Sequence, residues 1–254
     1  MKWFTKLNME SNATYLGANG WLLDFYNARI LVDPWLTGEL TFPPGPWLLK
    51  GELPKQISVP ENINLVLLTQ GLSDHSHIPT LKLLDRETIV VASNNASKVV
   101  KKLGFKTIKI LNPGEYYVYK DLNITATAGA KIPSLENGYI LSNKYHSIYL
   151  EPHGFLDQKL NPQKIDTIIS PVVDIGLGNS KITTFIKGKT ILPEIIKIFQ
   201  PKNILASTAG GNIKFSGILS NVINQRGSIK QLKKTLPKGI NLIDPLPGKI
   251  YSLK

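Results

Sequence analysis

The chain has 254 residues, 42% of them hydrophobic, and carries a net charge of +12. That length suffices to bury the core of one large domain, and no run approaches the roughly 18 apolar residues of a membrane-spanning helix. The absence of cysteine excludes disulfides, thiolate nucleophiles and cysteine-ligated zinc.

Any metal must therefore be held by His, Asp or Glu, and the histidines are few: His75, His77, His146 and His153. A histidine-rich two-metal site cannot be assembled from them. Of the basic residues, only Arg29, Arg86 and Arg226 are arginine, the side chain that dominates bidentate recognition of phosphate and bases. The lysines are scattered singly apart from small groups such as Lys101-Lys102 and Lys233-Lys234. They describe a soluble surface with no specific nucleic-acid partner, compatible with weak attraction to acidic surfaces or membrane headgroups. The N-terminal residues are too polar for a signal peptide, and a cytoplasmic location is expected.

In chain order, residues 14–24 and 28–33 read as two strands joined by a turn at Asn27. The proline-rich segment 42–47 precludes regular pairing. Residues 63–69 form an apolar run with the length of a buried strand, which empties into a polar loop before a helix beginning near Pro79. A strand at 88–92 precedes a helix at 95–103 closed by Gly104. Short strands follow at 107–111, 116–119 and 122–128, then a hairpin of 139–141 with 147–150 around Asn143-Lys144. A strand at 165–170, a helix at 192–199, a strand at 204–207 and a helix at 216–224 complete the reading. Strands first, then mixed strands and helices, argue for a layered sheet core flanked by helices.

Two strand ends present ligand-capable side chains. After Leu68 the chain reads Thr69-Gln70-Gly71-Leu72-Ser73-Asp74-His75-Ser76-His77. Carboxylate and imidazole suit zinc or a harder ion, although the same pattern also describes a surface loop whose Asp caps the next helix. The second segment, Tyr149-Leu150-Glu151-Pro152-His153-Gly154, places an acid and a histidine at the tip of a turn. Pro152 holds Glu151 extended and Gly154 allows a sharp reversal. Asp33 is either a turn residue or a hydrogen-bonding partner that orients a ligand loop, and Asp174 either a ligand or a cap. Residues 206–212, with two glycines, have the composition of an anion cradle. There is no Walker spacing and no nucleophile elbow.

Taken together, Tyr15-Leu16-Gly17-Ala18-Asn19-Gly20-Trp21-Leu22-Leu23, Ile30-Leu31-Val32-Asp33-Pro34-Trp35-Leu36 and the 69–75 loop resemble the metallo-β-lactamase superfamily. More narrowly, the loop is similar to that of a divergent branch from photosynthetic lineages, related to lactonase and phospholipase-D-like members. The resemblance implies an α+β fold, an αββα sandwich of two mixed β-sheets flanked by helices, formed by residues 1–254 as a single domain. It makes Asp33 the structural aspartate and residues 69–75 the place of the His-x-His-x-Asp-His loop. Gln70 and Leu72 stand where two ligand histidines belong. Ala128-Gly129-Ala130 and Thr208-Ala209 replace two more, while Asp74 and His75 match and His153 falls near the bridging aspartate.

A bimetallic centre is thus not expected. Asp74, His75 and His153 are expected to hold at most one zinc ion, with Asp74 and Glu151 as catalytic residues and His77 as an alternative outer partner. The function implied is a metal-dependent hydrolase of an ester, lactone or phosphodiester with a reduced site. The alternative is a metal-free member that binds an apolar or acyl small molecule in a cleft lined by Leu72, Trp35, Trp47 and residues 43–46. Either way the partner is a small-molecule substrate or ligand.

Overall fold

The apolar segments of this chain condense into two large sheets. In the computed structural model, which describes residues 11–131, 135–178, 182–208 and 210–253, each has seven strands. The first runs in space as Ile250–Ser252, Asn12–Gly17, Gly20–Phe25, Ala28–Val32, Leu65–Leu68, Ile89–Ala92 and Ile108–Ile110. The second runs as Asn241–Ile243, Asn203–Ala206, Thr167–Ser170, Ser147–Leu150, Leu135–Ser142, Leu122–Lys131 and Tyr116–Tyr119.

Strand Leu65–Leu68 shows why several segments read as unbroken apolar runs. Leu65 and Leu67 join the cluster between the sheets, with Ile30, Val32, Ile124, Leu141 and Leu150. Val66 and Leu68 face outward, under the helix Asn94–Lys102 and its Ala96 and Val100. Both faces are covered, as parallel pairing with neighbours Ala28–Val32 and Ile89–Ala92 requires. On the far side, helix Gly188–Phe199 packs Leu192, Ile195 and Phe199 onto Ile168 and Ile204. The result is the αββα sandwich. Ser93 caps the first of these helices by accepting from Ala96 N, and Gly104 at φ +83° follows its end.

Three local expectations are corrected. The segment 14–24 is a hairpin, because Gly17 (φ 102°) and Ala18 (φ 47°) turn the chain before Gly20. The segment 216–224 is a short 3₁₀ turn, Ile218–Asn221, between strands Lys214–Ser216 and Ile223–Arg226. Gly217 at φ 104° breaks it, and Ile218 N and Leu219 N donate instead to the carbonyls of Trp47 and Leu48. The helix near Pro79 is a single turn, Ile78–Leu81. Two three-stranded sheets lie outside the sandwich. One pairs Thr184–Lys187, Asp174–Leu177 and Ile223–Arg226; the other pairs Lys214–Ser216, Lys50–Glu52 and Glu39–Thr41. Among the described residues no helix is long and apolar enough to cross a membrane.

Candidate metal centre

Strand Leu65–Leu68 delivers the loop 69–77 to one end of the sandwich, and strand Ser147–Leu150 of the other sheet delivers Glu151–Gly154 to the same end. Asp74, His75 and His153 meet there, with ligand-capable atoms all within 4.8 Å of one another. It is the one such group of three among the described residues. The rings of His75 and His153 lie 5.2 Å apart, tilted by 32°.

His75 is fully buried and fixed through Nδ1, which lies 2.8 Å from Asp33 Oδ2 and 2.9 Å from Thr69 Oγ1. Asp33 also accepts from Thr69 N at 2.9 Å and from the Thr69 hydroxyl at 2.5 Å. It is therefore the partner that orients the ligand loop. Its own position, φ 38° at the end of a strand, is one that Asp tolerates better than most residues. With Nδ1 held by Asp33, Nε2 of His75 faces Asp74 Oδ2 at 3.2 Å.

His153 is held in the same way from the opposite sheet. Its Nδ1 lies 2.6 Å from Oε2 of Glu136, a buried side chain on strand Leu135–Ser142. Glu136 Oε1 accepts from Ala130 N at 3.0 Å. A Cβ on Gly129 would fall 2.4 Å from Glu136 Cγ, so this glycine makes the room that Glu136 fills. The segment 128–130, where the resemblance places a further histidine, thus borders the carboxylate that supports His153.

Charge at the site is divided. Burial disfavours the imidazolium of His75, but the carboxylates of Asp74 and Asp33 outweigh it and hold its pKa well above the ordinary value. Burial also opposes ionisation of Asp74, yet His75 and His153 bring its pKa down. For Asp33 burial prevails and the pKa is raised. A divalent cation at Nε2 of His75 would take the place of a proton there.

The residues present fit a single ion. Ligand atoms about 2.0–2.1 Å from a tetrahedral zinc stand roughly 3.3 Å apart; His75 Nε2 and Asp74 Oδ2 lie 3.2 Å apart, and all three ligand atoms lie within 4.8 Å of one another. Asp74 Oδ1 is buried without a hydrogen-bond partner, an acceptor that a cation would satisfy. Asn19, in the 17–20 turn, adds Nδ2 at 3.4 Å from both Asp74 Oδ2 and His75 Nε2.

The remaining candidates take other places. Glu151 is fully buried; it accepts from His153 N at 3.0 Å, Gly154 N at 2.5 Å and Phe155 N at 2.8 Å. Burial and the neighbouring Glu136 push its pKa well up. This geometry makes it the anchor of the turn that presents His153. His77 accepts from Thr80 N through Nδ1 and donates through Nε2 to Glu39 O, capping the one-turn helix. Asp174 caps helix Gly188–Phe199 through Thr190 N and its hydroxyl. Ser207 N and Thr208 N donate to Ser170 O and Ala18 O, so neither amide is available to an anion. Glu136 and Asn19 escaped the sequence reading. The available signal for Glu136 was an acid within an apolar strand; Asn19 offered only its place between two glycines.

Asp74 and Asn19 open onto a cavity of about 820 Å³ between the 17–20 turn, residues 206–208 and 210–212, and the two small sheets. Trp35, buried in the core, and Trp47, 58% exposed, are not among its walls, and neither are Leu72 and residues 43–46. The expected cleft is corrected accordingly: the apolar walls come mostly from residues 172–230, joined by Leu40, Phe42 and Leu49 and by residues 245–247.

An αββα sandwich with a histidine–carboxylate cluster on loops at one end of both sheets defines a class of protein. The beta-lactamase superfamily domain matches residues 12–207, and the chain belongs to the metallo-β-lactamase superfamily. A curated metal-dependent hydrolase of Cereibacter sphaeroides is 24% identical over 147 residues, 54% of this chain and 60% of that protein. The match thus spans about three fifths of that relative's length. Isothiocyanate hydrolase from Delia radicum gut bacteria superposes with a TM-score of 0.68, at 16% identity, covering 96% of this chain and all of that one. Igni18, a metallo hydrolase from Ignicoccus hospitalis, gives 0.61 at 13% identity, covering 95% and 97%. At these identities the structural likeness shows the fold alone.

Proposed function

We propose that the protein is a hydrolase with one divalent ion, held by Asp74, His75 and His153. The observation that carries this reading is the pairing of each histidine with a buried carboxylate, Asp33 for His75 and Glu136 for His153. Such pairs fix the tautomer and aim the other ring nitrogen at a ligand position. Zinc is the ion we favour, from a ligand set of two imidazoles and a carboxylate. When bound, it supplies Lewis acidity toward a carbonyl or phosphoryl oxygen. The chain's own residues do the rest. Asp33 and Glu136 orient the ligands, Glu151 holds the His153 turn, and Asn19 offers an amide beside Asp74. The name of the Cereibacter protein, a metal-dependent hydrolase, supports the reaction class.

Elemental analysis of protein purified without chelator tests the proposal, with one zinc per chain expected and its loss in His75→Ala. Metal-free protein from metal-replete growth, inactive after zinc is added back, would overturn it. The apolar cavity favours a second reading, a metal-free binding protein, which predicts that outcome together with a retained apolar ligand.

A further inference from the structure

The cavity beside Asp74 carries information about substrate that the metal cluster does not. Its walls are built by Phe42, Ile175, Phe185, Ile186, Phe215 and Ile223, from the two small sheets and the adjoining loop. The only charged residues among the described walls are Asp74, Asp244 and Lys230, and none is arginine. A surface with a net charge of +12 therefore encloses a chamber with two carboxylates and one ammonium. Its volume of about 820 Å³ lies in the range of roughly 300–1,000 Å³ that holds most of a small ligand.

Trp47, Leu177, Ile218 and Val222 are exposed, and the backbone bonds Ile218 N to Trp47 O and Gly178 N to Val222 O join the segments that carry them. Ser220 and Ile223, on the same stretch, belong to the cavity wall.

We infer that the cavity binds the acyl chain of a neutral carboxylic ester or lactone, with the ester group at the Asp74 end. An anionic phosphodiester would find a single ammonium, Lys230, and no arginine along these walls, whereas a neutral acyl chain gives up little hydration and gains their apolar surface. Hydrolysis joins water oxygen to the acyl carbon, breaks its bond to the alcohol oxygen, and passes a water proton to that oxygen. The position of the reaction rests on the hydrolase reading above; the binding of the chain does not.

Two measurements test this together. The first is kcat/KM of the zinc-loaded protein for p-nitrophenyl esters from acetate to dodecanoate, with bis(p-nitrophenyl) phosphate beside them. The second is displacement of Nile red by n-alkanols of increasing length, on chelator-treated protein. Each buried methylene is expected to raise both quantities by about fourfold until the cavity is full. Ile223→Trp is expected to move the maximum to shorter chains. Graded displacement with turnover of neither the esters nor the phosphodiester would overturn the hydrolase reading and leave the cavity inference standing. Chain-length-independent displacement, no displacement, or turnover of the phosphodiester in preference to every ester would overturn the inference.

Discussion

Nδ1 of His153 lies 2.6 Å from Oε2 of Glu136, and this pair repeats across the cleft the relation between His75 and Asp33. Each histidine is backed by a buried carboxylate on its own sheet. Glu136 sits beside segment 128–130, where the resemblance places a further histidine, and accepts from Ala130 N there. It puts a buried acid behind His153.

Glu136→Gln should separate support from ligation. The amide keeps the shape but loses the charge that holds the imidazole, and losing such a partner typically costs tenfold to a hundredfold in metal affinity. It also removes the carboxylate that pushes Glu151 up, so the fold is expected to persist by circular dichroism. Competition with a chromogenic chelator measures the affinity, and unchanged zinc affinity would show that Glu136 does not orient His153.

Asp33→Ala removes the acceptor of Thr69 N, the Thr69 hydroxyl and His75 Nδ1. All of these are buried, so a loss of about 3 kcal/mol in urea unfolding is expected. Asp33→Asn should lose less, because Asn accepts from Thr69 and tolerates φ 38°. Equal losses for the two variants would contradict this account.

Glu151→Ala distinguishes an anchor from a base. As the anchor of the 152–155 amides, its loss should lower zinc affinity and turnover together. Turnover abolished with zinc affinity intact would instead make Glu151 a catalytic base.

Gly154→Ala should disrupt the same turn. The residue has φ +73°, and a Cβ would fall 2.4 Å from Gly188 N and from Lys187 C, both backbone atoms. A destabilisation of roughly 2 kcal/mol or more is expected, read as a lower melting temperature.

The stability of the protein should also depend on His146. Burial lowers its pKa below the ordinary 6.5 and Lys202 adds to this, while Asp166 opposes it. As pH falls through about 6.5, the unfolded chain takes up the proton first, so His146 contributes fully above that pH and progressively less below it. His146→Gln should flatten the fall in unfolding free energy between about pH 7 and pH 5 relative to wild type. An unchanged slope would count against a buried, neutral His146.

The sequence alone determined the main apolar strands of the two large sheets, the two loops that carry Asp74, His75 and His153, and a count of four histidines. These are properties of local apolar runs, turn residues and residue counts, and each survives in any fold that buries the same strands. It also exposed Asp74, His75 and His153, because all three stand at strand ends. What the tertiary structure decided was how distant segments meet. Glu136, in mid-strand, and Asn19, between two glycines, became neighbours of the site only when the two sheets packed face to face. The cavity walls, expected at Trp35 and Trp47, come largely from the two small sheets, whose strands pair residues far apart in the chain, such as Phe215 with Gly51. Periodicity reports which face of a strand is buried; which strand lies across from it is set by packing, and that choice decided what surrounds Asp74.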